Sequence, residues 1–349
     1  MKRVVFSLLI IVAVLAGCRK PQNGTDAPGQ NDNVPVSALV KSIEVTSGGE
    51  PMYVFGFTYD GESRVSRIDW TILGTEDIVL PVEISYLNGK VSITERVSDQ
   101  LQYKYDADLD AQGRVSVLSE SEYGRKMDVS YDDKGYMDEI KVSESWNGRE
   151  YSLGFKYSDD NLSRIDIKES EADDYVDFYY SGYANNLNID MNWLLTFERG
   201  IFQDLESGLP WFGVIGLTGS RDRSFAAPGF RYNPVPATVS PAVEDTYVPE
   251  DRLGKTVEVE YSTTVPEYDD ENFRSDVSLN ENGTLRSITA SVPQYTLTFR
   301  CTGTLEASRF DKEEGGVKYY YTTVKVTDAE QIKKEAAGTS VYSASVTYF

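Results

Sequence analysis

Three aspartates at alternate positions, Asp106, Asp108 and Asp110, are the best candidates for metal chemistry in the sequence. Carboxylates spaced in this way in a loop could converge on Ca²⁺, which prefers oxygen ligands. An EF-hand loop would have glycine at its sixth position and a bidentate glutamate at its twelfth, where this chain has Ala111 and Val117. The segment therefore predicts either a calcium site or a solvated acidic turn, and no other cofactor is expected.

The complete absence of histidine excludes several enzyme classes. Ser-His-Asp and Cys-His catalysis, histidine zinc sites and the usual near-neutral general base all need that side chain. A glycoside hydrolase could still work with two carboxylates about 5–10 Å apart. The chain has 56 acidic residues, and many lie in predicted turns, so the sequence singles out no such pair. No catalytic residue is predicted.

An aromatic residue at a predicted hairpin tip is the candidate ligand contact. Trp146 is followed by Asn147-Gly148-Arg149, a polar, glycine-containing run that is typical of a turn. An indole at a tip could stack on a sugar ring, anchor a protein partner or pack on the neighbouring turn. We therefore predict Trp146 as a contact for a glycan or for an envelope or host protein.

The amino-terminal residues predict a secretory signal over residues 1–17. Lys2 and Arg3 precede an apolar run, Val4–Leu15, and small residues follow. From Val4 to Gly17 this run has about 14 residues, fewer than the roughly 20 that a membrane-spanning helix needs. Export and cleavage are therefore favoured over an uncleaved membrane helix.

The segment Leu15-Ala16-Gly17-Cys18 resembles the lipobox of bacterial lipoproteins. The resemblance implies cleavage before Cys18, acylation of that residue and anchoring in a lipid bilayer. Several acyl chains hold a protein firmly, because each buried methylene contributes about 0.8 kcal/mol. Arg19 follows the cysteine in place of an aspartate of the kind linked to inner-membrane retention, so the outer membrane is favoured. The sequence does not distinguish a periplasmic from an external position.

Charge and the second cysteine narrow the choice of partners and cross-links. The formal net charge is −22, which repels phosphate backbones, so no nucleic-acid partner is expected. With Cys18 acylated, Cys301 has no cysteine left to pair with. Because it alternates with Leu297 and Phe299, we expect Cys301 in the core as a small hydrophobic residue.

Beyond a polar, proline- and glycine-rich tether at 18–40, the sequence predicts a single β domain over 41–349. Apolar residues alternate at period two, the pattern of antiparallel strands with one buried face. Hairpin repeats are expected over 41–184, a helical insertion over 185–225 and further strands over 226–349. One such alternating set comprises Tyr53, Phe55, Phe57 and Tyr59.

The hairpins share a turn pattern, an acidic residue followed by glycine or asparagine. Tyr103-Lys-Tyr105-Asp106 with Gly113-Arg114-Val115 resembles the YD repeat of the Rhs family, in which hairpins tile a long curved sheet. The segment Phe178–Leu195 is also similar to uncharacterised Bacteroidota lipoproteins with a YD-like β domain and a helical insertion. These resemblances imply a fold and no particular activity or site residues.

The β pattern breaks where apolar residues recur at three and four, as in an amphipathic helix. Asn188 or Asp190 could cap its start, and Gly208-Leu-Pro210 is expected to end it. The apolar residues of this stripe are Trp193, Leu194, Phe197, Ile201, Phe202 and Leu205. We expect the insertion to cover one face of the sheet, because a lone sheet cannot bury both faces. The alternative is an exposed helix that docks a partner.

Two predictions concern the carboxyl-terminal region. Thr327–Glu335 carries a capping-box pattern and is predicted as a short helix. The final residues, Val341–Phe349, alternate again and are predicted to pair into the sheet.

Together these patterns predict a mainly β fold: an elongated, curved antiparallel sheet of repeated hairpins with a helical insertion packed on one face. The predicted function is an envelope-anchored binding or scaffold module. The alternatives are a histidine-free glycoside hydrolase and a structural accessory of an outer-membrane transport system.

Overall fold

The computed structural model describes residues 38–74, 77–98, 101–169, 172–198, 209–232, 234, 238–266 and 274–349. The predicted signal peptide, Cys18 and most of the predicted tether lie outside the described residues. All described residues belong to one compact unit, Pro35–Phe349.

The described residues form nineteen strands that hydrogen-bond into one sheet. The sheet is antiparallel throughout, and the predicted class, a mainly β fold of repeated hairpins, is confirmed. The strands are β1 (Val40–Ser47), β2 (Glu50–Tyr59), β3 (Val65–Ile72), β4 (Ile78–Leu87), β5 (Lys90–Arg96), β6 (Gln102–Leu109), β7 (Val115–Glu120), β8 (Arg125–Tyr131), β9 (Met137–Glu144), β10 (Glu150–Ser158), β11 (Asn161–Glu169), β12 (Ala172–Ala184), β13 (Ser224–Tyr232), β14 (Thr238–Val239), β15 (Tyr247–Pro249), β16 (Thr256–Pro266), β17 (Arg274–Leu279), β18 (Leu285–Glu314) and β19 (Val317–Tyr348).

The order of the strands is simple over most of the chain. From β1 to β13 each strand pairs with the next, so the hairpins follow one another across the sheet. The long strand β19 pairs with β1 at its end and with β18 along its length, while β16 and β17 both pair with β18. The predicted pairing of the final residues into the sheet is confirmed, since Tyr342–Tyr348 pairs with β1.

At one end of the strands, several of the connecting turns begin with aspartate. The carboxylates of Asp60, Asp110 and Asp132 each accept the backbone N–H groups two and four residues later, at 2.9–3.0 Å. Such bonds hold the backbone in a turn that a plain loop would have to form without side-chain help. We call this side of the sheet the Asp-turn edge.

Tyrosine hydroxyls link neighbouring hairpins along the Asp-turn edge. Tyr131, at the end of β8, donates to the carbonyl of Val115 at the start of β7, at 2.7 Å. The guanidinium of Arg114 lies 4.0 Å from the centre of the same ring, a distance at which a cation is attracted to the ring face. The same hydroxyl-to-carbonyl bond joins Tyr59 to Val40, Tyr86 to Val65 and Tyr348 to Leu285.

The predicted insertion packs on the inward face of the sheet, as expected. It contains the helices α1 (Met191–Glu198) and α2 (Leu209–Val214). Trp211 and Phe212 are fully buried and join the main core together with strand residues such as Phe55. Gly213 lets the helices approach closely, because a Cβ at this position would lie 2.2 Å from the Trp193 ring.

The start of the predicted helix agrees with the structure. Asp190 caps α1, since its carboxylate accepts the backbone N–H of Asn192 at 3.1 Å. Leu209 and Pro210 lie in the first turn of α2, where proline fits because no N–H bond is lost, and the residues before them, in which the predicted helix would end, lie outside the described residues. Ile201, Phe202 and Leu205 lie outside the described residues.

Among the described helices, none is long and apolar enough to cross a membrane.

The insertion is fastened to the Asp-turn edge through backbone hydrogen bonds. The N–H of Val115 donates to the carbonyl of Leu217 at 2.8 Å, and the N–H of Ser220 donates to the carbonyl of Gly135 at 2.7 Å. Arg223 N–H donates to the carbonyl of Asp160 at 2.9 Å. The insertion thus covers the inward face and joins the turns at one edge of the sheet.

The strands β14, β16, β18 and β19 form a second, smaller core. Cys301 is fully buried there beside Phe299, which confirms its prediction as a small core residue. The predicted helix at Thr327–Glu335 is wrong, because these residues belong to β19 and pair with β18. Cross-strand pairing has outweighed the local helical pattern.

We expect Tyr131→Phe to lower the free energy of unfolding by about 1 kcal/mol, because the Val115 carbonyl loses a half-buried hydrogen bond. Urea unfolding measured by circular dichroism tests this. The control Ser116→Ala removes an exposed hydroxyl bond of 3.1 Å to the Asp108 carbonyl, and a change below about 0.5 kcal/mol is expected because water can replace it. Equal losses in both variants would contradict a specific contribution of the tyrosine hydroxyl.

Candidate functional site

An aromatic strip lies at the other ends of the strands, on the side of the sheet opposite the Asp-turn edge. The Trp146 ring is 6.1 Å from that of Tyr123, which is 6.1 Å from that of Tyr103. Trp146 is 63% exposed, whereas the two tyrosines are half-buried. We call this set of three rings the aromatic strip and this side of the sheet the Trp146 edge. The prediction that places Trp146 at a hairpin tip is confirmed by the turn at 145–149, and its ring also packs on the neighbouring turn.

A buried ion pair holds the turn that carries Trp146. Glu144, at the end of β9, accepts the guanidinium of Arg125 at 2.8 and 3.0 Å, and both side chains are almost fully buried. The other carboxylate oxygen of Glu144 accepts the side-chain amide of Asn147 at 2.7 Å. Asn147 in turn accepts the N–H of Arg149 at 2.8 Å. The indole therefore projects from a turn whose backbone is fixed on both sides.

The electrostatics of Glu144 agree with this structural role. Burial by itself raises the pKa of the Glu144 carboxyl, but the hydrogen bonds from Asn147 and Arg125 outweigh it and the pKa is lowered. Glu144 is therefore ionised at neutral pH, as a buried ion pair with an arginine requires.

The turn beneath Tyr123 is held in a related way. The carboxylate of Glu120, at the end of β7, accepts the N–H groups of Glu122 and Tyr123, the latter at 2.8 Å. At Gly124 a Cβ would lie only 2.1 Å from the Ser145 hydroxyl, so glycine allows the two neighbouring turns to touch. Two successive hairpins thus present their rings side by side.

A polar recess of about 310 Å³ lies beside the aromatic strip. This volume is at the lower end of the range for small-molecule sites. Gln102 and Lys104 alternate with Tyr103 along β6, so the recess opens on the other face of that strand. The recess is lined by Leu101, Gln102, Lys104, Ser121 and Glu122.

The three predicted metal ligands are not brought together. Asp106 and Asp108 lie on the outward face of β6, where Asp106 accepts the Ser92 hydroxyl and Asp108 pairs with Lys90 at 2.8 Å. Asp110 belongs to its turn and pairs with Arg114 at 2.7 Å. Within the described ranges, no group of three or more histidine, cysteine, aspartate or glutamate side chains is placed to hold a metal ion. A further acidic segment of the sequence, Glu267-Tyr-Asp-Asp-Glu271, lies outside the described residues.

Asp190, which is buried, and Asp222, which is half-buried, are the carboxylate pair to consider for acid–base chemistry. Asp222 accepts the Tyr180 hydroxyl at 2.8 Å, the Asn192 amide at 3.1 Å and the Leu162 N–H at 2.8 Å. The recess beside Asp222 has a volume of about 20 Å³, room for about one water molecule. As far as the described residues show, this recess is too small for a sugar, and Asp222 joins the insertion to β11 and β12.

Burial dominates the titration of both carboxylates. It raises the pKa of Asp190 to about 7, helped by the charge of Asp222 and opposed by that of Arg221. Burial also raises the pKa of Asp222, although the Leu162, Tyr180 and Asn192 hydrogen bonds act against it. Raised pKa values can mark an active site, but here they come from enclosure beneath the insertion.

The sequence indicated Trp146 and missed the residues that support it. Glu144 and Arg125 are 19 residues apart and meet only through the pairing of β8 with β9. A signal was nevertheless present, because Glu120-Ser121 and Glu144-Ser145 repeat the same dipeptide at the ends of β7 and β9.

Comparison with known proteins yields no matching family model and no matching curated protein. Among solved structures, a porin-like protein from Bacteroides uniformis ATCC 8492 is 14% identical with a TM-score of 0.48, covering 89% of this chain and 98% of that one. A porin-like protein from Bacteroides vulgatus ATCC 8482 is 8% identical with a TM-score of 0.38, covering 89% of this chain and 99% of that one. These similarities are too low to support a function.

Asp190→Asn should flatten the dependence of stability on pH. Between about pH 4 and pH 7 the folded state keeps a proton that unfolded aspartate has released, so the free energy of unfolding falls as pH rises through this interval. We expect Asp190→Asn to match the wild type near pH 4 and to exceed it by about 1–3 kcal/mol at pH 8.

Urea unfolding at the two pH values measures the difference. Asp133→Asn, on an exposed turn residue, controls for the loss of one surface carboxylate. A variant less stable than the wild type at pH 8 would show that the charged form of Asp190 is favoured in the folded state.

Proposed function

We propose that this protein is an envelope-anchored, non-catalytic binding module that contacts a glycan through the aromatic strip. The observation that carries the proposal is the exposed Trp146 ring, held on a turn that a buried ion pair fixes. A rigid exposed ring loses little conformational freedom when a ligand binds, and fixed contacts favour affinity for that reason.

The size of the aromatic strip favours a glycan over a protein partner. A specific protein interface buries about 800 Å² on each partner and surrounds its central aromatic residues with further contacts. Here three rings form a narrow row, and the recess lined by Lys104 and Glu122 opens on the other face of β6. A sugar offers apolar ring faces for stacking and hydroxyl groups for polar neighbours.

The enclosure of Asp190 and Asp222 weighs against the hydrolase alternative. Paired carboxylates in a glycosidase flank the scissile bond, with room for the substrate between them. The pair in this chain is covered by the insertion and tied into its hydrogen bonds. A binding role therefore accords better with the geometry of the described residues.

Anchoring through Cys18 is proposed from the sequence. The basic start, the short apolar run and the lipobox-like segment support acylation at Cys18. Acylation would tether the domain to a membrane, with the outer membrane favoured by Arg19.

Trp146→Ala should weaken glycan binding about tenfold, since an exposed aromatic anchor contributes about 1.4 kcal/mol or more. Electrophoresis through gels that contain dextran, laminarin, amylopectin or galactomannan measures the affinity. Phe349→Ala is the matched control, because Phe349 is 73% exposed but lies on the Asp-turn edge. The proposal fails if none of the four polysaccharides retards the wild type, or if Trp146→Ala migrates like it.

Cys18→Ser should abolish the incorporation of labelled palmitate and move the protein from the membrane fraction to the soluble fraction. The thiol that carries the lipid would be absent, and the roughly 14-residue apolar run is too short to span a bilayer. Metabolic labelling followed by cell fractionation tests this, with Cys301→Ser as the matched control. Membrane association that survives Cys18→Ser would contradict a lipid anchor.

A further inference from the structure

Asn-Gly pairs occupy three turns in the part of the chain that the structure describes. In such a pair the side-chain amide of asparagine lies close to the backbone nitrogen of a residue without a side chain. Attack of that nitrogen on the amide carbon removes the amide group, a reaction that makes asparagine a thermolabile residue. The pairs are Asn88-Gly89 between β4 and β5, Asn147-Gly148 between β9 and β10, and Asn282-Gly283 between β17 and β18.

At the first pair neither reacting group is engaged. Asn88 and Gly89 form a two-residue turn, closed by the pairing of Leu87 with Lys90, and all four residues are exposed. Their φ angles are 52° and 76°, as in the hairpin turn that Asn-Gly favours. Within the described ranges, no hydrogen bond involves the Asn88 side chain or the Gly89 N–H. Both groups are therefore open to reaction.

The pair next to Trp146 is held at both reacting groups. The N–H of Gly148 donates to the carbonyl of Glu144 at 2.9 Å. The Asn147 side chain donates to the Glu144 carboxylate at 2.7 Å and accepts the N–H of Arg149 at 2.8 Å. These bonds must break before the nitrogen of Gly148 can attack.

The third pair is held in a similar way. The N–H of Gly283 donates to the carbonyl of Asn280 at 2.9 Å. The side-chain oxygen of Asn282 accepts the hydroxyl of Thr284 at 2.7 Å and its N–H at 3.2 Å. The three pairs share a sequence and differ in their hydrogen bonds, so the fold selects one of them.

We propose that Asn88 is a site of spontaneous deamidation, with water as the co-reactant. The Gly89 nitrogen forms a bond to the side-chain Cγ of Asn88. The Cγ–Nδ2 bond breaks, and the amide nitrogen leaves as ammonia with the proton from Gly89. Water then opens the five-membered imide, either at Cγ to give aspartate or at the main-chain carbonyl to give isoaspartate. This inference does not depend on the function proposed above.

Either product changes the β4–β5 turn. A carboxylate replaces the Asn88 amide in a turn where Lys90 already pairs with Asp108 at 2.8 Å. Isoaspartate also adds one carbon to the main chain, and loop length fixes the register of a hairpin. The turn lies on the Asp-turn edge, so we expect no effect on the Trp146 edge.

The test incubates the full-length protein near pH 8 and 37 °C and follows the three sites by peptide mapping with mass spectrometry. We expect Asn88 to be converted at least about tenfold faster than Asn147 or Asn282, because hydrogen bonds hold both of these pairs. In concentrated urea the three rates should agree within about threefold, because those bonds are lost.

Two variants assign the acidic form that isoelectric focusing detects as the folded protein ages. Asn88→Gly should prevent its accumulation, since Gly-Gly also suits this type of turn. Asn282→Gly is the matched control and should leave the accumulation unchanged. A smaller ratio of rates in the folded protein, or an acidic form that still accumulates in Asn88→Gly, would overturn the proposal.

Discussion

The inward face of the sheet must be removed from water, and the rest of the structure depends on that constraint. Phe55, Ile93, Leu118 and Ile140, from different strands, are all fully buried on this face. A single sheet exposes both of its faces, so a second layer is required. The insertion supplies that layer with Trp211 and its neighbours, which explains why a chain of hairpins contains one segment with helical periodicity.

Covering the sheet with a chain segment brings polar groups into the interior. Buried backbone carbonyls need hydrogen-bond donors, and Arg221 donates to the carbonyls of Leu187, Asn188 and Ile189. Asp222 binds groups from the sheet and from α1 together. The raised pKa of Asp190 follows from this arrangement, because burial beneath the insertion disfavours the charged form and the nearby Asp222 carboxylate adds to that effect. The buried acids are thus explained by how the insertion is attached.

The sequence predicted those features that depend on neighbours along the chain and missed those that depend on neighbours across it. Period-two alternation predicted the strands, and the turn pattern predicted the aspartate turns. These turns depend on local contacts, because Asp110 accepts N–H groups only two and four positions away. Trp146 could be placed at a tip for the same reason. Its support from Arg125 could not be predicted, because that contact depends on the register of β8 against β9.

Both the wrong helix at Thr327–Glu335 and the separated aspartates follow from the same physics. Charged residues at helical spacing look alike on a helix surface and on an exposed strand, and here Lys333 and Glu335 lie on β19, where they pair at 2.9 Å. Such charges also discourage another chain from adding to a strand edge. Likewise Asp108 could have faced a metal ion, but β5 places Lys90 opposite it. In an antiparallel sheet the residue across the ladder decides what a charged side chain does, whereas a side chain in a turn, such as Trp146, has no residue directly across the ladder from it.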